Sequence, residues 1–445
     1  MPNASVFEQS PWKAIASLSI PSLISIVVMM LYNMADMYFV GWLNDLNQVA
    51  AVSLAGPVFS LLTALSTMIG NGGCTKIAQA LGRQDTERAR IYTALCFWAS
   101  IVFGAVFASL CFVFTDPLLR FLGATEEAWQ YTRAYVLVMA AGAPLVLLNH
   151  SLGAMLRGEG LIKLGLLTSM ISTVTNILLD PIFILTLKLG VTGAAIATLL
   201  GNAVAVCCVL VFRFRHRDRC LLEMRPQYAR ELRELGSILA LGLPNAISSI
   251  LGGLAGTFGN RLLAGYGTGA IASMAAAGKA VMVITMVQMG ICMGTQPLLA
   301  YCYGGRDWAR LRDIVGKLLL LTVSLGAALT VVTWLGRYWV IGLFIKDAEA
   351  LDLGTRLVGY LVLMGPLTGV YYLASNFLQA AGNAAGASVA SALRQGLLLI
   401  PLLYIMNALF GLTGLVLAHT AADGIAVLVT AALAVWYYRK VSSTE

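Results

Sequence analysis

The chain has 445 residues, of which 59% are hydrophobic and only 11% are charged, and its formal net charge is +8. So few charged side chains cannot cover the surface of a soluble globule of this length, which excludes an ordinary soluble enzyme or binding module. The composition therefore indicates a protein that lies mostly in lipid. The positive charge needs no nucleic-acid partner, because the basic residues follow a membrane topology.

A helix that crosses the hydrocarbon core of a bilayer needs roughly 20 mostly apolar residues. Windows of that length predict twelve transmembrane helices, and hence an all-α membrane protein. In chain order the predicted segments are 14–40, 49–78, 91–114, 134–157, 163–187, 191–213, 237–263, 271–301, 315–340, 357–381, 386–408 and 411–437.

Basic residues concentrate in the loops after segments 2, 4, 6, 8 and 12, whereas the loops after segments 1, 7 and 11 have none. Lys and Arg in short loops mark the cytoplasmic side of a membrane protein. This distribution predicts that both termini face the cytoplasm. The N-terminus also lacks the pattern of a cleavable signal peptide, which predicts that segment 1 is retained.

A long, strongly charged stretch separates six predicted helices from six, and the two halves match at an offset of about 222 residues. IPSLIS from Ile20 aligns with LPNAIS from Leu243, and LGVTGAAIA from Leu189 aligns with FGLTGLVLA from Phe410. The predicted domains are an N-terminal lobe at 1–212, a cytoplasmic linker at 213–236 and a C-terminal lobe at 237–445.

Six helices per half give both repeats the same orientation, and carriers built in this way hold their substrate between the repeats near the middle of the bilayer. The repeat therefore predicts a carrier that alternates between inward and outward openings. The alternative is a pair of fused helix bundles without a transport role.

Ionisable side chains inside the hydrocarbon are costly, so they usually face a cavity or a partner. Asp36, Asp180 and Thr198 are predicted to lie about 8–12 Å below the outer membrane boundary, since each helical residue rises about 1.5 Å. Asn176 is four residues before Asp180 and shares its helix face. The sequence therefore predicts one polar layer in the first half.

The carboxylates, amide and hydroxyl of this layer are hard oxygen ligands, which suit a proton or a sodium ion rather than a transition metal. Pro181 removes a backbone donor and is expected to bend its helix and free carbonyl ligands. Competition between the ion and a cationic substrate would couple inward ion flow to export. The predicted cation-coupling site, which is also the sodium site if sodium is the coupling ion, consists of Asp36, Asn176, Asp180 and Thr198.

The second half carries another set of ionisable residues at depth. Arg394 and Asp423 are predicted to neutralise each other as a structural pair, and the alternative is a second ion site. His419 precedes Asp423 by four residues, so a proton relay is one hypothesis and a satisfied core histidine is the commoner one. The candidate substrate-binding or accessory residues are Tyr32, Asn33, Asn202, Lys279, Arg394, His419 and Asp423.

The sequence contains no GxxxxGK[ST], HExxH or GxSxG motif. We therefore predict that the protein does not use ATP as its energy source and is not an enzyme. No cofactor is expected besides the coupling ion.

Four stretches resemble the multidrug and toxic compound extrusion family of antiporters, in particular its bacterial MepA-like and DinF-like members: NMADMYFVG, GICMGTQPLLAYCYGGRD, SALRQGLLLIPLLY and LTGLVLAHTAAD. The resemblance covers essentially the whole chain. It implies two six-helix lobes in a V shape, and export of cationic or amphipathic drugs driven by protons or sodium ions. It also implies an N-lobe site at Asp36, Asn176, Asp180 and Thr198. The acids that NorM-type relatives carry in segments 7 and 10 are missing here.

The resemblance further implies a multi-pass protein of the cytoplasmic (inner) membrane of a prokaryote, with lipid and small cationic or amphipathic molecules as its partners, and we expect a monomer. The second functional hypothesis is a flippase for lipid-linked precursors from a related superfamily branch. A flippase should place several arginines in its cavity, whereas only Arg394 lies at depth. A third hypothesis, a non-transporting scaffold or receptor, predicts that neutralising Asp36 changes nothing.

Overall fold

The computed structural model describes residues 6–41, 45–216, 219–345 and 347–443, although the side chains of 31–41 and of a few single residues lie outside the described part. Every regular element in these ranges is helical. The first half contains α1 Pro11–Gly41, α2 Leu46–Gly82, α3 Thr86–Val113, α4 Thr115–Phe121, α5 Glu126–Ala141, α6 Ala143–Gly158, α7 Ile162–Pro181 and α8 Gly190–Arg215. The second half contains α9 Leu232–Ala264, α10 Thr268–Gly304, α11 Trp308–Phe344, α12 Ala348–Leu361, α13 Gly365–Ala380, α14 Ala384–Ala392 and α15 Leu399–Ser442.

Ten helical stretches of the described chain are long and apolar enough to cross a membrane, and α5 with α6 adds one span bent by 53°. One of the ten, Ala384–Ser442, has 59 residues, whereas roughly 20 suffice to cross the hydrocarbon core. Gly411 interrupts this stretch with φ 59° and ψ −138°, so it holds two spans. The described residues therefore contain the twelve predicted spans, and the all-α membrane fold is confirmed.

The predicted segments are shorter than the helices because apolar composition marks only the part of a helix that lies in hydrocarbon. The fourth predicted segment, 134–157, starts well inside a helical pair that begins at Glu126. Likewise the tenth, 357–381, starts after the first turns of α12.

The internal repeat is visible in the loops that follow α2 and α10. Gln84 and Arg306, which occupy equivalent positions in these loops, both have positive φ, at 61° and 58°. The next residue in each loop, Asp85 or Asp307, caps the following helix by accepting a hydrogen bond at 3.0 Å from the backbone N–H three residues later. The two halves thus share local backbone geometry as well as sequence.

The helices form two compact units, of which unit 1 comprises Met1–Glu8 and Pro21–Gly242 and unit 2 comprises Gln9–Ile20 and Leu243–Glu445. These units differ from the predicted lobes, because the first turns of α1 belong to unit 2 and the first turns of α9 belong to unit 1. Both changeovers fall beside a proline inside the helix, Pro21 or Pro244.

The segment that was predicted as a cytoplasmic linker, 213–236, packs on unit 1. Thr93 of α3 donates a hydrogen bond to the Leu221 carbonyl at 3.1 Å, and the Trp98 indole donates to the Met224 carbonyl at 3.1 Å. Cys220 and Leu222 of the same segment are buried. This stretch therefore forms part of unit 1, because its backbone polar groups are bound by side chains of that unit.

Glycines bring α9 and α2 close together inside unit 1. A Cβ atom on Gly242 would lie 1.7 Å from the Met68 carbonyl oxygen, and one on Gly72 would lie 1.9 Å from the Ile238 carbonyl oxygen. Small residues at helix contacts let backbones approach in this way in membrane proteins. The first turns of α9 therefore pack closely against α2.

Candidate cation site

Asp180 lies at the C-terminal end of α7, and its carboxyl group is fully buried. Pro181 follows it and cannot donate the backbone hydrogen bond that a helix needs at this position. The chain then forms one turn of π-helix, Ile182–Thr186, before α8 begins. Such π-helical turns are rare and occur frequently at functional sites. The sequence therefore places a buried acid directly beside a local break in helical geometry.

Asn176 bridges Asp180 and Thr198. Its amide satisfies both neighbours best when the nitrogen donates to Asp180 Oδ2 at 3.1 Å and the oxygen accepts from Thr198 Oγ1 at 3.1 Å. Asn176 and Asp180 share a face of α7 because they are four residues apart, while Thr198 comes from α8. The structure thus brings together three of the four side chains predicted for the cation site.

Gly201 makes this contact between α7 and α8 possible. A Cβ atom at this position would lie 2.6 Å from the Ser172 carbonyl oxygen and 3.4 Å from Asn176 Cβ. The missing side chain lets the two helix backbones approach closely. As a result Thr198, one turn earlier on α8, lies within hydrogen-bond distance of Asn176 on α7.

The polar network extends from Thr198 to α6. Asn202 donates a hydrogen bond from Nδ2 to the Thr198 carbonyl at 2.7 Å, and the Asn149 amide nitrogen donates to Asn202 Oδ1 at 2.7 Å. Sequence analysis included Asn202 among the accessory candidates but missed Asn149. The only signal in the sequence was a single amide side chain, Asn149, within the apolar run APLVLLNHSL.

The fourth predicted member of the site, Asp36, lies on α1 together with Tyr32 and Asn33. The side chains of these three residues are outside the described part of the structure. The predicted meeting of Asp36 with Asp180 therefore stays a prediction.

In unit 2 the structure brings Arg394 and Asp423 together in an ion pair, with Arg394 Nε 2.7 Å from Asp423 Oδ1. The guanidinium also lies over the Tyr371 and Tyr372 rings, with Cζ at 4.5 and 5.0 Å from their centroids. His419 stands one helical turn before Asp423 on the same helix. The remaining accessory candidate, Lys279, is exposed on α10.

The side chains assembled in unit 1 are chemically suited to a small hard cation. A carboxylate, an amide oxygen and a hydroxyl oxygen are the donors that protons and alkali or alkaline-earth ions prefer, whereas soft metals prefer sulfur and imidazole. The Asn176 amide contributes a neutral dipole to the Asp180 carboxyl group. A negative charge held away from water needs a compensating positive charge, so this arrangement can hold a proton or a sodium ion.

Twelve spans in two related halves, with a buried acid and amides inside the first half, define an integral membrane protein of the carrier class. A family model, MatE, matches residues 21–182 and again residues 244–405, and thereby also confirms the internal repeat. The chain belongs to the MatE family. This is a family of transporters, not of enzymes.

Curated relatives and solved structures agree with this assignment. The chain is 32% identical over 424 residues to Multidrug export protein MepA of Staphylococcus saprophyticus, covering 95% of this chain and 93% of that protein. A structure described as the outward-facing conformation of a multidrug resistance MATE family transporter of the MOP superfamily matches with a TM-score of 0.92 at 26% identity, over 100% of this chain and 99% of that chain. A crystal structure of MATE in complex with MaD3S matches with a TM-score of 0.93 at 27% identity, with the same coverage. The resemblance predicted from the sequence is confirmed.

Proposed function

We propose that this protein is a multidrug efflux transporter that exchanges cationic or amphipathic compounds for protons or sodium ions across the cytoplasmic membrane of a prokaryote. The observation that supports this proposal is the fully buried Asp180 carboxyl group, bridged through Asn176 to Thr198. The relatives named as multidrug export proteins support the substrate class. Both termini are proposed to be cytoplasmic, and the protein to act as a monomer.

The exchange follows from charge balance at Asp180. A buried carboxylate is stable only when a positive charge accompanies it, and either a proton or a sodium ion supplies that charge. Asn176 supports both forms, because its amide can turn its nitrogen toward the bare carboxylate or its oxygen toward a bound cation. The site therefore has two well-satisfied states that differ by one positive charge.

A cationic drug that approaches the same unit competes with this ion for the negative charge of Asp180. Each ligand lowers the affinity of the other, and the reduction is reciprocal. When the ion is favoured on the outer side and the drug on the inner side, ion entry drives drug export. Asp36 is proposed to supply a second carboxylate to the same site.

Everted membrane vesicles that contain the protein test this function directly. Ethidium, a fluorescent cation, is added outside, and the lumen is made either acidic or rich in sodium. We expect the wild type to accumulate ethidium under one of these gradients, and the gradient that works identifies the coupling ion. We expect Asp180→Asn and Asp36→Asn to accumulate it about tenfold more slowly or worse, as loss of a typical coupling free energy of about 1–3 kcal/mol implies.

Asp352→Asn is the matched control, since Asp352 is a half-exposed carboxylate of α12 that pairs with Arg356. It should transport like the wild type. Wild-type vesicles that fail to accumulate ethidium under either gradient would contradict the export proposal. Normal transport by both Asp180→Asn and Asp36→Asn would instead show that the coupling site lies elsewhere in the molecule.

A further inference from the structure

Unit 2 carries a charged cluster at the positions where unit 1 carries its neutral amide network. The repeat LGVTGAAIA and FGLTGLVLA aligns Thr198 with His419 and Asn202 with Asp423. At the same offset of about 222 residues, Asn149 corresponds to Tyr371. The helices that build the network in unit 1 therefore have counterparts in unit 2 that place titratable groups at equivalent positions.

The centre of this cluster is the ion pair of Arg394 and Asp423. Arg394 lies in a turn of π-helix, Leu393–Leu397, between α14 and α15, so each half has a π-helical turn in its fifth span. The side chain of Arg394 is only 9% exposed, whereas that of Asp423 is 28% exposed. The carboxylate is thus the more accessible partner of a largely buried pair.

The pair does not satisfy the guanidinium completely. Arg394 Nη2 reaches Asp423 Oδ2 only at 3.5 Å, and the buried Nη1 has no hydrogen-bond partner among the described residues. An unpaired buried donor on a charged group is costly. The ion pair is therefore weaker than one with two short hydrogen bonds, which lowers the free energy needed to separate Arg394 from Asp423.

The ionisable groups around Asp423 come from three places. Arg394 pairs with it from the π-helical turn. Tyr371 and Tyr372 of α13 lie against the Arg394 guanidinium, and His419 stands one turn earlier on the helix of Asp423. The sequence of α14, AAGASVASA, contains no ionisable side chain. On α12, which packs against the helix of Asp423, Asp352 and Arg356 pair with each other, and the carbonyl of Tyr360 accepts a hydrogen bond from Thr420, three residues before Asp423. Arg394 is accordingly the cation that pairs with Asp423.

We infer that Asp423 is a second proton-exchange site, which takes up a proton in one state of the transport cycle and re-forms its pair with Arg394 in the other. In the uptake step a proton from water bonds to a carboxylate oxygen, and the hydrogen bonds from Arg394 weaken. Arg394 stays positive, and the Tyr371 and Tyr372 rings hold it through cation–π contact. In the release step the proton returns to water. This inference rests on the proposed function.

Infrared difference spectra of the purified protein test this inference. Tetraphenylphosphonium is added at constant pH, and the carbonyl stretching band reports carboxyl groups that lose a proton as this cation binds. We expect the wild type to lose a band that is absent from the spectrum of Asp423→Asn.

Asp423→Asn leaves Arg394 without a counter-charge and could fail to fold, so Arg394→Gln/Asp423→Asn provides a neutral pair of similar shape. This double variant should show the same missing band, while Asp352→Asn should match the wild type. Identical spectra for the wild type and the double variant, including two spectra without any carboxyl band, would overturn the inference. Failure of the export proposal shows separately, as absence of ethidium accumulation in wild-type vesicles.

Discussion

Glu159 lies in the loop between α6 and α7, and its carboxyl group is fully buried. One of its oxygens accepts a hydrogen bond from the Leu221 backbone N–H at 2.9 Å, which ties the charged segment after α8 to this loop. Burial raises the pKa of Glu159 to about 7, although the Leu221 hydrogen bond and the nearby Arg213 act to lower it. This carboxyl group, in the loop between α6 and α7, thus titrates near neutral pH.

This raised pKa predicts how stability depends on pH. A carboxyl group whose pKa is higher in the folded than in the unfolded protein contributes stability below its unfolded pKa and loses it as pH rises through the folded one. The contribution of Glu159, about 3 kcal/mol at most, should therefore be lost between about pH 4.5 and about pH 7. Thermal unfolding in detergent should show a fall in Tm over this range that is smaller in Glu159→Gln. Glu87→Gln, at an exposed position on α3, should keep the wild-type dependence, and an equal fall in Glu159→Gln would refute the assignment.

Single residues were predictable where spacing alone decides the contact. Asn176 and Asp180 are four apart, so a helix puts them on one face, and depth placed Thr198 beside them. Asn149 was missed because a lone amide in an apolar run carries no periodic signal. Glu159 was missed for a different reason: its burial depends on contact with the segment predicted as a cytoplasmic linker, and sequence spacing does not reveal where that segment packs.

At the scale of whole helices, the close contact between α2 and α9 predicts how glycine substitutions on α9 change stability. Gly242→Ala places a methyl group on the Met68 carbonyl, and overpacking of this kind costs about 1–3 kcal/mol or more. Gly236→Ala on the same helix meets open space and should be neutral or stabilising by about 0.5–1 kcal/mol. Tm values of the two variants in detergent measure the difference. Equal Tm values would mean that α9 does not pack on α2 as described.

Helices were predictable because apolar length is a strong signal for a span, and all twelve are present. Their partition was less predictable. The sequence predicted a lobe boundary between the sixth and seventh helices. It could not show that α1 and α9 are each divided between the two units at a proline, because this division depends on how the helices pack. The π-helical turn after Pro181 was foreseen only as a bend, because proline removes a donor without specifying the geometry that replaces it.

For the molecule as a whole, the repeat was the most informative feature of the sequence. It predicted two related halves, and the ionisable residues within the apolar segments of each half located both polar clusters. The roles of these clusters remain predictions, and the meeting of Asp36 with Asp180 falls on side chains outside the described part of the chain. The central claim is that a small cation and a drug compete for Asp180.

Binding of tetraphenylphosphonium to the purified protein tests that claim most directly. Its affinity is measured by calorimetry over a series of pH values, or of sodium concentrations if sodium drives transport in vesicles. The slope of log affinity against pH or log sodium concentration counts the ions displaced by the drug. We predict that Asp180→Asn lowers this slope by about one ion relative to the wild type. An unchanged slope in Asp180→Asn would contradict the account.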